Sequence, residues 1–222
     1  VLANSSSELT LGNLAVAAVF LGPVSLLINA LTSGLVIRFA TLFVRPGFHA
    51  VNSRAGFFSW LVERQLQRSR RQSFWLYASV ITPVWARFLG AKVGRNCELS
   101  TFNGQVGLLT IEDECFIADD ASLAPREQKN GWVRLGSVVL ERRSFIGNSA
   151  HVRAGVHVRS GVLIGVGSES PAQNAPAASF FGLPPIEFPR HQLQGAESLR
   201  YKPSLSFESP TEVSSAAMYS AG

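Results

Sequence analysis

The stretch LERRSFIGNSAHVRAGVHVRSGVLIGVGS, residues 140–168, decides the fold. Stepping by six from Leu140 meets Ile146, Val152, Val158 and Ile164, aliphatic every time. Four residues beyond each of these stand Ser144, Ala150, Val156, Val162 and Ser168, all small or β-branched. A period of six fits neither the 3.6 of a helix nor the 2 of an alternating strand. It fits a prism-shaped coil, in which each hexad supplies one short strand and one turn. Three strands then complete a coil, and an aliphatic side chain points inward on each side, stacked on its equivalent one coil away. The competing explanation, Val-rich strands aligned by chance in a sandwich, does not account for so regular a run.

Upstream the same step continues through Val93, Leu99, Gln105, Ile111, Ile117 and Leu123, with Gln105 as the one polar break. The companion positions Cys97, Asn103, Leu109, Cys115, Ala121 and Glu127 match more loosely. An insertion, residues 125–139, separates the two runs and resets the phase. Residues 93–168 therefore predict roughly four coils. Gly147, Gly155, Gly161 and Gly165 are expected to supply turn conformations that β-branched residues resist. The aromatic and Pro-rich residues 180–189 are expected to cover the last coil. Cys97 and Cys115 fall inside the repeat rather than in metal-type pairs, and read as buried thiols in a reducing compartment.

Further out, the chain changes character. Residues 9–37 carry no charge, and at 1.5 Å per residue they exceed the roughly 30 Å hydrocarbon core of a bilayer. They predict a transmembrane helix kinked near Gly22-Pro23, the alternative being a buried core helix. Residues 38–95 hold ten basic residues against the single acid Glu63, in a chain of net charge +5. Basic residues that begin where an apolar run ends point to anionic headgroups and place that side in the cytoplasm. They argue against nucleic acid as the partner. Residues 74–91 are aromatic-rich but interrupted by Pro83 and Arg87, which predicts an interfacial segment with Trp and Tyr at headgroup depth. The expected organisation is a transmembrane segment (1–47), a basic interfacial connector (48–91), the hexad domain with its cap (92–191) and a polar, disordered tail (192–222).

Several motifs narrow the reading: Leu76-Tyr77-Ala78-Ser79, Thr82-Pro83-Val84-Trp85, Phe116-Ile117-Ala118-Asp119-Asp120, Gly131-Trp132, Phe145-Ile146-Gly147-Asn148-Ser149 and Phe180-Phe181-Gly182-Leu183-Pro184-Pro185. The hexads resemble those of the hexapeptide acyltransferases. The motifs together resemble the C-terminal region of non-ribosomal peptide synthetases of the ε-poly-L-lysine synthetase type, in which membrane helices alternate with acyltransferase-like β-helix domains. The resemblance implies a mainly β fold, a left-handed parallel β-helix, on the cytoplasmic side of a bacterial inner membrane. It also implies amide formation from a thioester on the phosphopantetheine arm of a carrier domain to a cationic amine, with adjacent β-helix domains as partners. This unit itself is expected to bind no cofactor. The sequence departs from the family in starting with Val, in lacking adenylation and carrier domains and in holding one β-helix unit. It therefore reads as a fragment of something longer. The rival reading is a non-catalytic unit that completes a multi-domain assembly.

Four histidines are present. His49 and His191 read as solvated. His151 and His157 stand six apart, on neighbouring corners, so they cannot converge on one metal, and no metal is expected. His151 is the first candidate base and His157 the second, with an exposed turn residue as the alternative for each. Asp119 and Asp120 rank above both, because a second acidic cluster, Glu112-Asp113-Glu114, lies six residues earlier and the combined charge suits an ammonium-bearing acceptor. Substrate contacts are expected from Asn148 and from Glu127 and Trp132 of the insertion, with Trp132 as a cap of the hydrophobic interior being the alternative.

Overall fold

The computed structural model describes residues 11–188, with residues 11–15 as backbone only. The expected polar tail, residues 192–222, and His191 lie outside the described residues.

The hexads build three parallel faces around one core. The first face stacks β2 (Lys92–Val93), β5 (Leu109–Ile111), β10 (Val138–Leu140) and β13 (His157–Val158). The second stacks β3 (Glu98–Leu99), β6 (Phe116–Ile117), β11 (Phe145–Ile146), β14 (Leu163–Ile164) and β15 (Ser179–Phe181). An antiparallel strand, β16 (Ile186–Phe188), closes that face. The third and shortest face stacks β4 (Phe102–Gly104), β7 (Ala121–Leu123) and β12 (His151–Val152). Val93 pairs with Ile111 and Leu140 with Val158, each pair three hexads apart, whereas Ile111 pairs with Leu140 across the insertion. The insertion thus lengthens one coil and leaves the inward register intact. All five aliphatic positions of the second run are fully buried.

Of the glycines expected at turns, Gly155 and Gly161 take left-handed conformations, at φ +82° and +68°, and Gly147 and Gly165 do not. Left-handed backbone recurs in columns along the prism edges, at Asn96, Glu114, Arg143 and Gly161 on one edge and at Asp120, Ser149 and Gly167 on the next. Gly147 and Gly165 are absent from these columns. Their lack of a side chain serves close approach instead, since a Cβ on Gly147 would run into the Gly165–Val166 backbone and one on Gly165 into the Phe181 ring.

The insertion folds outward as a hairpin, β8 (Glu127–Lys129) and β9 (Trp132–Leu135), and β9 pairs antiparallel with β1 (Gly47–Ala50). Val133 and Leu135 are buried while Trp132 is 55% exposed, so Trp132 does not cap the prism interior.

Residues expected to form an interfacial connector make a helical layer on the prism. Helix α1 (Leu11–Thr41) runs unbroken through Pro23. Helix α2 (Arg54–Gln72) starts where the Ser53 hydroxyl accepts from the Gly56 amide, and its stripe of Gly56, Ser59, Val62, Leu66 and Ser69 is buried. Helix α3 (Thr82–Leu89) has Pro83 in its first turn and ends on Gly90 at φ +123°. Gly34 of α1 lets the rings of Trp85 and Phe88 lie against its backbone. Trp85 Nε1 donates to the Tyr77 hydroxyl at 3.1 Å, which donates to Ser69 Oγ at 3.0 Å. Burial pushes the Tyr77 hydroxyl above its ordinary pKa. Tyr77 and Trp85 are thus core residues rather than headgroup-depth aromatics, because their polar atoms find partners within the protein. Phe74 and Trp75, in a single 3-10 turn after α2, remain exposed.

Gln105, the polar break in the repeat, is where this layer docks. It is 1% exposed, and its Nε2 donates to the Ser59 carbonyl of α2 at 3.0 Å. An aliphatic residue at that position would leave the Ser59 carbonyl without this donor.

Candidate functional site

The third face is the place where the candidate residues collect. Its outward ladder runs Asn103, Ser122, His151, with His151 bridged in turn to Glu169, at about 4.8 Å per step. The edge leading into this face stacks Ser100-Thr101, Asp119-Asp120 and Asn148-Ser149. Asn148 Oδ1 accepts from the Asp119 amide at 3.2 Å, and Thr101 Oγ1 accepts from the Asp120 amide at 2.9 Å. The edge leaving the face carries the hairpin. There Phe48, Glu127, Trp132, Arg134 and Arg153 line a cleft of about 400 Å³. The three-sided coil therefore brings Asp119, Asp120, Asn148 and His151 to one side of the molecule and sets Glu127 and Trp132 at its far margin.

Each residue's chemistry follows from its partners. The hydroxyls of Ser100 and Thr101 both donate to Asp119 Oδ1. The Ser100 bond is the main cause of a pKa below the usual carboxylate range, with Arg70 adding a smaller charge effect. Asp120 exposes its carboxylate but is ion-paired with Arg70, whose guanidinium also donates to Asn103 Oδ1. His151 is half-buried, and its ring makes no hydrogen bond to the described residues. Glu127 is tied at both oxygens, to Arg134 Nη1 at 3.0 Å and the Ala154 amide at 3.2 Å.

Two expectations need correction. The second acidic cluster does not add to the field at Asp119-Asp120. Arg142 Nη2 lies 3.2 Å from Asp113 Oδ2 and Arg143 Nε 2.6 Å from Glu114 Oε2, so the coil stacks a basic corner on an acidic one. Basic residues are also closer to the aspartates than expected, because α2 delivers Arg70 onto Asp120. Nothing near Asp120 in sequence announces this contact, since Arg70 stands 50 residues earlier.

His157 sits on the first face, away from His151, with Nε2 2.9 Å from Glu141 Oε1. Among the described residues no three His, Cys, Asp or Glu side chains are placed to hold a metal ion. Burial pushes the Cys115 thiol to about 11, which makes it unreactive as a nucleophile near neutral pH.

The edge carboxylates have a measurable consequence. Asp113, Glu114 and Asp119 are held below their ordinary pKa values by the Arg95 amide, by Arg143 and by Ser100 respectively. A depressed folded-state pKa contributes stability that is present above the unfolded value and lost as pH falls through the folded one. The thermal midpoint is therefore expected to hold from pH 7 to about 5 and to fall steadily below about 4. Asp113→Asn should flatten that fall; an unchanged slope would contradict the role of this edge.

No family model matches the sequence. Over 185 residues, 81% of the chain, the sequence is 34% identical to Delta-poly-L-ornithine synthetase of Acinetobacter baumannii. The sequence is thus similar to one segment of that synthetase. It spans 14% of the length of that relative. Among solved structures, a hexapeptide-repeat acetyltransferase from Vibrio cholerae matches at TM-score 0.43 and 14% identity, covering 57% of this chain and 89% of that one. Serine acetyltransferase from Neisseria gonorrhoeae matches at TM-score 0.41 and 15% identity, covering 66% and 60%. These structural likenesses are too distant to place a residue or a role.

Proposed function

We propose that the chain is a membrane-associated, acyltransferase-like unit of a non-ribosomal peptide synthetase, which forms an amide between an (amino)acyl thioester and a cationic amine. The observation that carries this reading is the 34% identity over 81% of the chain to a protein named for making a polymer of a diamino acid. The donor is a thioester on the phosphopantetheine arm of a carrier domain. The coil is left-handed and works beside neighbouring β-helix domains, with α1 anchoring it on the cytoplasmic face of a bacterial inner membrane. The synthetase type, whether of the ε-poly-L-lysine kind or another, is part of the same proposal.

The third face supplies the groups such a reaction needs. The neutral amine nitrogen attacks the thioester carbonyl, the C–N bond forms and the C–S bond breaks. The proton leaving nitrogen must then reach the departing thiolate. His151, with its ring uncommitted, takes that proton and returns it to sulfur. Asp120 holds the cationic end of the acceptor in exchange for part of its contact with Arg70. Asp119 and Asn148 keep the edge in shape. Glu127 and Trp132 bound the approach from the hairpin side.

One observation favours a second reading. Arg70 already satisfies Asp120, as it would in a unit that only completes an assembly. The two readings separate when the full chain, in detergent, is given aminoacyl-pantetheine with ornithine or lysine and amide is measured by mass spectrometry. Amide above the rate of the uncatalysed mixture supports the enzyme. A rate equal to the mixture, from a folded chain, supports the structural unit.

A further inference from the structure

The exposed part of α1 and its packed part divide sharply. Between Val16 and Asn29 no residue is buried, whereas Ala30, Ser33, Gly34, Ile37 and Ala40 all are. Helix α2 runs back along this second half. Phe58 near its start stacks on Phe43 at 4.3 Å, and its last turns reach Ser25 and Asn29. One face of residues 30–41 is thus committed to protein while Leu31, Leu35 and Phe39 stay exposed on the other, and the run of α1 open on every side ends near Asn29. Residues 11–29 span about 28 Å, close to the thickness of a hydrocarbon core. At the level of Asn29 the end of α2 presents Arg68 and Arg71, and the following turn presents Phe74 and Trp75 to the outside.

At this level α1 and α2 enclose a cleft of about 460 Å³. Ser25, Asn29, Thr32 and Ser33 line it from α1, at the spacing of one helix face. Gln65 and Arg68 line it from α2. The Ser33 hydroxyl is buried without a partner in a residue only 8% exposed. The side chains of Asn29, Thr32 and Gln65 likewise make no hydrogen bond to described residues. Arg68 uses Nε on Gln72 at 3.1 Å and forms no ion pair with a described carboxylate. A buried hydroxyl without a partner, at Ser33, beside an unpaired guanidinium and the open amide and hydroxyl groups of Asn29, Thr32 and Gln65, suits an anion with several acceptor oxygens.

We propose that this cleft holds the phosphate headgroup of an anionic phospholipid, with Arg68 as its charge partner. The inference rests on the membrane anchoring proposed for α1, and its test separates the two. The full chain is reconstituted in phosphatidylcholine vesicles with and without phosphatidylglycerol, and retained lipids are counted by native mass spectrometry after release into detergent. Wild type floats with both vesicles and retains phosphatidylglycerol over phosphatidylcholine. Arg68→Gln still floats but loses about fivefold of that preference. Arg54→Gln, at the other end of α2, keeps it. Failure of wild type to float overturns the anchoring and with it the site. Flotation with equal retention by wild type and Arg68→Gln overturns the headgroup site alone. Full displacement of phosphatidylglycerol by inorganic phosphate overturns it too, by marking the cleft as a site for the soluble ion.

Discussion

His151→Ala is expected to lower the rate of amide formation by about 10²–10⁴-fold in kcat, with little change in KM for the amine. Imidazole is the side chain best matched to moving a proton near pH 7. Asp119, kept ionised by the Ser100 and Thr101 hydroxyls, is a weak base, and its loss should read mainly as lost stability. Asp120→Asn, in contrast, should raise KM for a cationic amine by about tenfold and leave kcat within a few fold, because it removes a contact with the ammonium rather than a proton acceptor. This split reverses the ranking that sequence suggests, in which both aspartates precede His151. Steady-state kinetics of the full chain with aminoacyl-pantetheine and the diamine, with circular dichroism to verify folding, provide the check. A folded His151→Ala variant with the full rate would remove the histidine from the reaction.

Ile146→Ala is expected to cost about 2–5 kcal/mol of folding stability, the range for truncating a large aliphatic side chain inside a packed core. Ile146 is fully buried and stacked between Ile117 and Ile164 on the second face, so neither neighbouring coil can collapse into the space without shifting its own strand. The residue beside it supplies the contrast. Phe145 points outward, is 37% exposed and stacks on Phe116 at 5.0 Å, so Phe145→Ala should cost only about 1 kcal/mol. Urea unfolding measures both, and equal midpoints for the two variants would refute the inward and outward assignment of this strand.

The period of six made the prism legible because each hexad repeats one local geometry, and stacking needs only the neighbouring coil. Ile111 and Leu140 could be matched for that reason, although the whole insertion lies between them. The helical layer was not legible in the same way. Helix α2 reads as a basic stretch because the stripe it buries is mostly small or polar, with Ser59 and Ser69 against Gln105 and Tyr77. Aromatic content at Tyr77 and Trp85 suggested lipid where the partner proved to be protein, since composition alone does not distinguish two apolar surroundings. The aspartate edge was found from its repeat offset and motif. Its neighbour Arg70 was not, because the contact depends on how α2 lies across the third face.

The pairing of β1 with β9 also bears on the order in which the molecule is made. Ala50, the last residue of β1, leaves the ribosome long before Leu135, the last of β9. At about 5–20 residues per second, the intervening stretch takes roughly 4–17 s to synthesise. Throughout it β1 exposes an unpaired edge next to an apolar helix, while the coils upstream of the hairpin can already zip together one on another. Strand β1 therefore waits for a hairpin that interrupts the solenoid, even though α2, which follows it, can already dock on the earlier coils through Gln105 and Arg70.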